Sequence, residues 1–431
     1  VETILYLIIA APLGANAFYS RRLELASIIA ASLALSGSLG VYLSLPVSGF
    51  FGVTRLSWYF LVAVSSVYLT STVYSGRYIS SSHTKFPRNL YFLLLNFFAV
   101  SMFFTLFVNN LGLIWVGVEA TTVSTILLIF MEGSEASAEA AWRYVVIVSA
   151  GIAFAFISVV LVYYSLHTLS LNKPGGQSLV LALAVGIALA GFGTKVGVFP
   201  LNTWLPDAHS EAPAPVSAMF SGVLLPVVLY ALYRVYLLDP LQGVFSAAAI
   251  ISMLIASLMM ASQTNFKRLL AYSTIENINL ALLGLVIGQP LGAAILILGH
   301  AFGKSSAFYS SGLLQKITGS KKIDAYGIHR LSYLPYSLTL SSLCITGAPP
   351  FATFVGEFLI LFSLLRFSLA GFALVLFSLG LSFVSMSYHI SRMLFSGDGP
   401  LAKEDRLMGG LSLLTSLVPL MLGVLLIWWL L

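Results

Sequence analysis

The chain is built from continuous apolar runs of about twenty residues separated by short polar breaks, so its backbone must hydrogen-bond without help from water. Residues 111–131 carry one charge, Glu119, and residues 370–391 carry none apart from a histidine, His389. One helix needs about 20 residues to cross a hydrocarbon layer of ~30 Å. The strands of a membrane barrel would alternate apolar and polar residues, and these runs do not. Only 8% of residues are charged, where soluble domains hold about 25%, so the whole chain reads as an all-α integral membrane bundle.

Hydropathy and helix breakers predict about fourteen spans, near 4–19, 25–45, 56–76, 90–108, 111–131, 141–166, 179–205, 215–237, 244–262, 268–288, 291–315, 334–366, 370–395 and 410–430. No soluble domain is left over. The first span has Glu2 before it and Arg21 and Arg22 after it, the reverse of a signal peptide, so it is expected to stay in the mature protein. Cys344 is the single cysteine and is expected to pack, since it can form neither an internal disulfide nor a cysteine metal cluster.

The net charge of +6 resembles a nucleic-acid signal only until the charges are placed. Loops after odd-numbered spans hold Arg21, Arg22, Arg77, Lys85, Arg88, Arg143, Lys267, Arg268, Lys316, Lys321, Lys322, Arg330, Arg392, Lys403 and Arg406. Those after even-numbered spans hold Arg55, Lys173, Arg234 and Arg366. Fifteen against four predicts cytoplasmic odd loops, both termini extracytoplasmic and a multi-pass cell membrane protein that binds no nucleic acid.

Two spans are too long and are interrupted. The seventh breaks around residues 197–200 (GVFP) and the twelfth around 347–350 (GAPP), where proline removes a backbone donor and glycine permits a bend. Broken helices at corresponding places in two halves predict an inverted repeat with an ion path between the halves. Spans four to eight and nine to thirteen would be the two five-helix units. The expected organisation is three leading spans over 1–85, a first half-channel unit over 86–240, a second over 241–397 and a last span over 398–431.

A lysine at the centre of a membrane helix costs roughly 2.5 to 3.5 kcal/mol on insertion scales, so ionisable residues there mark function. They are Glu119 in span five, Lys195 in seven, Glu276 in ten, His300 and Lys304 in eleven, Glu357 in twelve and His389 in thirteen. His300 and Lys304 are i and i+4, stacked on one helix face with about 6 Å of rise, a spacing that suits a relay. A movable carboxylate near a buried lysine would load or release its proton, which makes Glu119 and Lys195 a two-charge switch. The alternative is a pair of buried ion pairs, Glu119 with Lys195 and Glu357 with Lys304, that only fix helix packing. Asp207, His209 and Glu211 fall in a proline-rich turn on the cytoplasmic surface by the loop count. With Lys267, Glu276 and His389 they are candidates for proton entrance or coupling.

Other motifs fail. Gly191 and Gly193 lie inside a span, not between a strand and a helix as a dinucleotide fingerprint requires, and Leu298 stands where a phosphate loop ending at Gly303, Lys304 and Ser305 needs glycine. No second histidine or cysteine lies at metal-ligand spacing from His300, so no cofactor or metal is expected in this chain.

Four segments together resemble one family: TKVGVFPLNTWLPDAHSEAPAPVSA (194–218), NFKRLLAYSTIENINL (265–280), GHAFGKSSAFYSSG (299–312) and GAPPFATFVGEFLIL (347–361). They are similar to the antiporter-like, proton-conducting membrane subunits of respiratory complex I, of group 4 membrane-bound [NiFe] hydrogenases and formate hydrogenlyases, and of multisubunit Na+/H+ (Mrp) antiporters. The resemblance covers roughly residues 90–395. It implies that Glu119 modulates Lys195, that His300 and Lys304 form the eleventh-span relay, and that Glu357 is the terminal carboxylate. Protons, or Na+, would pass along a hydrated mid-membrane axis driven by redox chemistry elsewhere.

The resemblance also implies partners: further antiporter-like membrane subunits, a peripheral redox arm with Fe-S clusters and a [NiFe] or quinone site, and lipid. The wording of WLPDAHSEAPAPVSA is closest to the hydrogenase type, and the lack of a long carboxy-terminal extension argues against the complex I subunit with a lateral helix. A complex I-like subunit (NADH or F420H2:quinone oxidoreductase), an Mrp-type subunit and a non-conducting structural subunit are the alternatives. One position departs from the family: where several members carry a bridging lysine or histidine in span eight, this chain has Pro226, near Ser217 and Ser221. The axis is therefore expected to be bridged by water or interrupted there.

Overall fold

A computed structural model of the chain describes residues 2–19, 22–82, 84–171, 176–324, 326–395, 397 and 401–430; Arg21 and Lys173 of the charge pattern lie outside them. The described helices are α1 (Glu2–Ala15), α2 (Leu23–Gly40), α3 (Arg55–Ser80), α4 (Arg88–Phe107), α5 (Leu111–Ile129) and α6 (Glu135–Leu166). There follow α7 (Leu179–Val196), α8 (Trp204–Glu211), α9 (Ala214–Met219), α10 (Leu225–Tyr236), α11 (Gln242–Ala261) and α12 (Phe266–Val286). The last are α13 (Pro290–Thr318), α14 (Leu334–Ile345), α15 (Ala352–Phe367), α16 (Leu369–Phe395) and α17 (Arg406–Leu430). Among the described residues twelve helical segments, α9 through α10 counting as one, are long and apolar enough to cross a membrane, and Glu2–Phe18 and Leu334–Ile345 are shorter apolar helices. The protein is an all-helical, multi-pass membrane protein.

The short polar breaks in the sequence are helix caps. Side chains of Thr54, Asn110, Ser134, Ser178 and Asn265 accept from the backbone N–H three residues on, at the starts of α3, α5, α6, α7 and α12. α14 has no cap of its own, and the Glu404 carboxylate accepts from the N–H groups of Ser332, Tyr333 and Leu334 at 2.9, 3.0 and 2.6 Å. In lipid such groups would otherwise go unpaired at several kcal/mol each. Asn110 and Asn265 also pair through isolated antiparallel bridges with Ser170 and Lys322, so α5 and α12 begin in the same way.

Burial follows polarity. From Leu269 to Val286 every residue of α12 is buried, including Ser273, Thr274, Glu276, Asn277 and Asn279, because a helix with that many polar groups cannot face lipid. α13 is nearly as enclosed, whereas α2, α6, α16 and α17 turn most of their surface outward. Close helix approach is set by glycine: a Cβ at Gly356 on α15 would lie 2.5 Å from the Leu296 nitrogen of α13.

Both expected breaks are present. α7 ends at Val196 with Gly197 at φ 92°, and α14 ends at Ile345 with Gly347 at φ 64°, in the left-handed region that glycine enters at no Cβ cost. The segment expected to be an acidic turn is instead helix α8, which continues beyond the break to Glu211. The eighth span also differs from a plain helix, since Phe220–Leu224 forms one turn of π-helix between α9 and α10.

Candidate functional site

The two breaks and the polar helix between them position the interior charges. Trp204, the first residue of α8, donates its indole N–H to the Thr194 carbonyl of α7 at 2.9 Å, which staples the two halves of the broken helix together. On α12, Asn277 donates to Ile345 O at 3.0 Å and Asn279 to Gly197 O at 3.4 Å. One buried helix therefore satisfies carbonyls that both breaks leave without helical donors, and it ties the two breaks to each other.

Lys195 sits in the last turn of α7 and is fully buried. Its Nζ donates to Val118 O at 2.9 Å and to the hydroxyls of Thr121 and Thr122 at 2.6 Å each. All three N–H donors of the ammonium are used, and all the partners are on α5. Glu119 is half-buried on the next face of α5 and accepts from the Thr122 hydroxyl at 3.5 Å. Among the described residues no ion pair joins Glu119 to Lys195; the fixed pair that was the alternative to a switch is not formed there, and the contact between the two runs through the Thr122 hydroxyl. A second hydroxyl link runs from Thr125 to Tyr144 on α6 at 2.8 Å, and Tyr144 packs against Trp204 at 5.0 Å between ring centroids.

Lys304, also fully buried, donates to Leu270 O of α12 at 2.9 Å and to the Ser273 hydroxyl. Among the described residues it makes no ion pair with Glu357. That carboxylate lies against the Gly347 backbone at the second break, with Oε1 buried and without a hydrogen bond among the described residues. Glu276 of α12 accepts from Ser382 at 2.6 Å and Ser378 at 3.4 Å, both on α16. His389 is buried on α16 beside the Met260 and Ala261 carbonyls at the end of α11. His300 lies one turn before Lys304 on α13, and its Nε2 is 3.2 Å from the Ser221 carbonyl.

The expected surface group divides. Asp207 binds Arg143 of α6 at 3.0 Å and Arg268 of α12 at 2.6 Å, and Glu211 binds Lys321 at 2.9 Å. Asp207, Glu211, Arg143 and Arg268, with Glu139 and Ser210, line a cleft of about 250 Å³. The Glu211 carboxyl is pushed up by partial burial, but the Lys321 hydrogen bond and charge outweigh this and hold it below the usual carboxylate range. His209 is not at the surface. It is 1% exposed and stacks on Phe308 of α13 at 5.0 Å, because the i+2 step along α8 turns it inward while Asp207 and Glu211 face out. Lys267 is buried as well and donates to Ala212 O at 3.0 Å. Cys344 packs as expected, buried with its thiol 3.5 Å from Gly299 O.

Sequence reasoning missed the uncharged partners: Thr121 and Thr122 at Lys195, Ser273 at Lys304, Ser378 and Ser382 at Glu276, and Asn277 and Asn279 at the breaks. A signal was available, since hydroxyl and amide residues three or four apart recur in these spans on one helical face. Buried or half-buried acids, bases and hydroxyls thus lie on α5, α7, α12, α13, α15 and α16. Such groups, bridged by water, can pass protons in the bilayer interior.

The comparisons with known proteins agree with this fold. The family model described as NADH:quinone oxidoreductase/Mrp antiporter, TM, matches residues 108–385. A hydrogenase-4 component F homolog of Methylacidiphilum infernorum (isolate V4) is 34% identical over 74% of this chain and 73% of its own. NADH-quinone oxidoreductase subunit N of Moorella thermoacetica is 31% identical over 87% of this chain and 81% of its own. A chain of the membrane-bound sulfane sulfur reductase, an archaeal respiratory membrane complex, superimposes with a TM-score of 0.88 at 22% identity, over 98% of this chain and 94% of that one.

Proposed function

This chain belongs to the NADH:quinone oxidoreductase/Mrp antiporter transmembrane family, and from that membership we propose that it moves protons or Na+ across the membrane as one subunit of a redox-driven complex. The observation that carries the reading is a pair of fully buried lysines, Lys195 and Lys304, each held by hydroxyl and carbonyl oxygens with no carboxylate locked onto it. A purely structural lysine would be paired directly with its carboxylate, because an uncompensated buried charge is costly. Here Glu119 stands one hydroxyl away from Lys195, placed to approach or withdraw, and Glu276, His300 and Glu357 continue the line toward the second break. Asp207, Glu211 and the cleft they line serve as the proton entrance, with Lys267, His209 and His389 as coupling groups.

Two five-helix units, 86–240 and 241–397, form the half-channels, flanked by three helices before and one after, which makes fourteen spans once the halves of each broken helix are joined. The matching caps and bridges of α5 and α12 support the repeat. The charge asymmetry supports cytoplasmic odd loops and outward termini in the cell membrane. A cysteine at Ser48→Cys then reacts with an impermeant label from outside, and one at Lys322→Cys only from inside. The reverse pattern overturns the orientation.

A hydrogenase or formate hydrogenlyase-type complex is the preferred parent, supported by the hydrogenase-4 relative; the subunit N relative supports a complex I-like parent instead. Fe-S clusters and a [NiFe] or quinone site belong to the partner subunits. The test is ion uptake by vesicles that hold the whole complex. Lys195→Ala and Glu119→Gln should uncouple redox turnover from uptake while the complex still assembles. Unchanged coupling in both sinks the translocation reading and leaves a structural subunit, and co-purifying redox subunits identify the parent.

A further inference from the structure

Pro226 looked like a gap in the axis, and the structure gives it another part to play. In the π-turn Phe220–Leu224 the Leu225 N–H bonds to Phe220 O, five residues back. In ordinary α-helical register that N–H would serve the Ser221 carbonyl. In the widened register Ser221 O would take the N–H of residue 226 instead, and proline has none. The Ser221 carbonyl is thus stranded inside the bundle with no helical donor, where a buried acceptor needs a partner. Gly222 lets α13 come close, since a Cβ there would lie 3.0 Å from Ala301 O. His300 supplies the donor: its Nε2 is 3.2 Å from Ser221 O, and the ring is 1% exposed. Ser221 is further held by its hydroxyl, 2.7 Å from that of Thr274 on α12.

A carbonyl oxygen only accepts, so the ring nitrogen facing it must carry the hydrogen. Neutral imidazole then leaves its other nitrogen with a free lone pair, and His300 Nδ1 is buried with no partner among the described residues. We propose that Pro226 acts as a positioning residue: by stranding the Ser221 carbonyl it fixes His300 as the Nε2–H tautomer and makes Nδ1 the one atom through which this histidine exchanges a proton. A proton arriving at Nδ1 gives an imidazolium. The Nε2 hydrogen cannot pass to an amide oxygen, so the proton leaves again by Nδ1. His300 is a loading station with one port and does not relay a proton from one nitrogen to the other unless its ring lets go of Ser221. That it exchanges protons at all rests on the translocation reading, whereas its tautomer does not.

Solid-state NMR of the full chain in lipid bilayers, with ring-15N histidine, reads the tautomer directly at about pH 8.5, where ordinary histidine is neutral. The His300→Gln spectrum identifies the His300 pair among the six histidines. The expected result is a protonated Nε2 and a bare Nδ1. A bare Nε2 or a doubly protonated ring overturns the proposal. Pro226→Ala restores a competing N–H and should lower the ratio of Nε2–H to Nδ1–H tautomer about tenfold, the weight of one net buried hydrogen bond. Ser221→Ala keeps the carbonyl and should leave the ratio unchanged. A ratio indifferent to Pro226→Ala, or one that Ser221→Ala moves equally, removes the positioning role. In vesicles of the whole complex, normal uptake by His300→Gln overturns the exchange role of Nδ1 even where the tautomer is as expected, whereas failure of the translocation reading appears separately, as unchanged coupling in the Lys195 and Glu119 variants.

Discussion

Thr122→Val tests whether the Glu119–Lys195 contact works as a switch or only as a brace. Valine keeps the shape of threonine and deletes the hydroxyl that accepts from Lys195 Nζ at 2.6 Å and donates to Glu119 at 3.5 Å. The ammonium keeps Val118 O and Thr121, so one of its three donors is orphaned. A hydrogen bond to a charged group contributes about 1.5 to 3 kcal/mol, and about 1.4 kcal/mol is a factor of ten. If the hydroxyl is the path between carboxylate and ammonium, ion uptake per redox turnover in vesicles of the whole complex should fall roughly 10- to 100-fold. The complex should still assemble, because the helices lose no volume at this site. Wild-type uptake by an assembled Thr122→Val complex refutes the reasoning, since no other side chain links the two groups among the described residues.

Three further outcomes follow from the geometry. Trp204→Phe orphans the Thr194 carbonyl and removes the indole that packs on Tyr144, which should cost about 2 to 4 kcal/mol in unfolding of the purified chain; a loss below about 0.5 kcal/mol denies the staple across the break. Gly356→Ala drives a Cβ to within 2.5 Å of the α13 backbone and should cost roughly 1 to 3 kcal/mol, while an unchanged melting temperature means that α13 and α15 can part freely. The Glu211 carboxyl is held below its ordinary value, so its contribution is complete above the unfolded-state pKa near 4.5 and is lost as pH falls through the lower folded value. Glu211→Gln should therefore narrow the gap to wild type as pH drops from neutral to below 4, and a gap independent of pH rules out the Lys321 pair as its source.

The sequence by itself determined the class of the molecule, nearly every helix boundary to within a few residues, both helix breaks and the buried charges Lys195, Glu276, Lys304 and Glu357. These are properties of local runs. An apolar stretch of span length has one stable answer in lipid, and a lysine there is costly whatever surrounds it. Only the tertiary structure decided what each charge touches. Threonine, serine and asparagine are cheap in membrane helices and carry no obligation in sequence, yet they hold Lys195, Lys304 and Glu276 and tie the two breaks through α12. The same gap explains His209, placed at the surface by the loop count, when α8 turns it onto Phe308. It explains Pro226 too. In sequence proline is a missing side chain in a relay, but in the fold its missing N–H frees the Ser221 carbonyl for His300, and which carbonyl a proline frees depends on helical register and on what packs opposite.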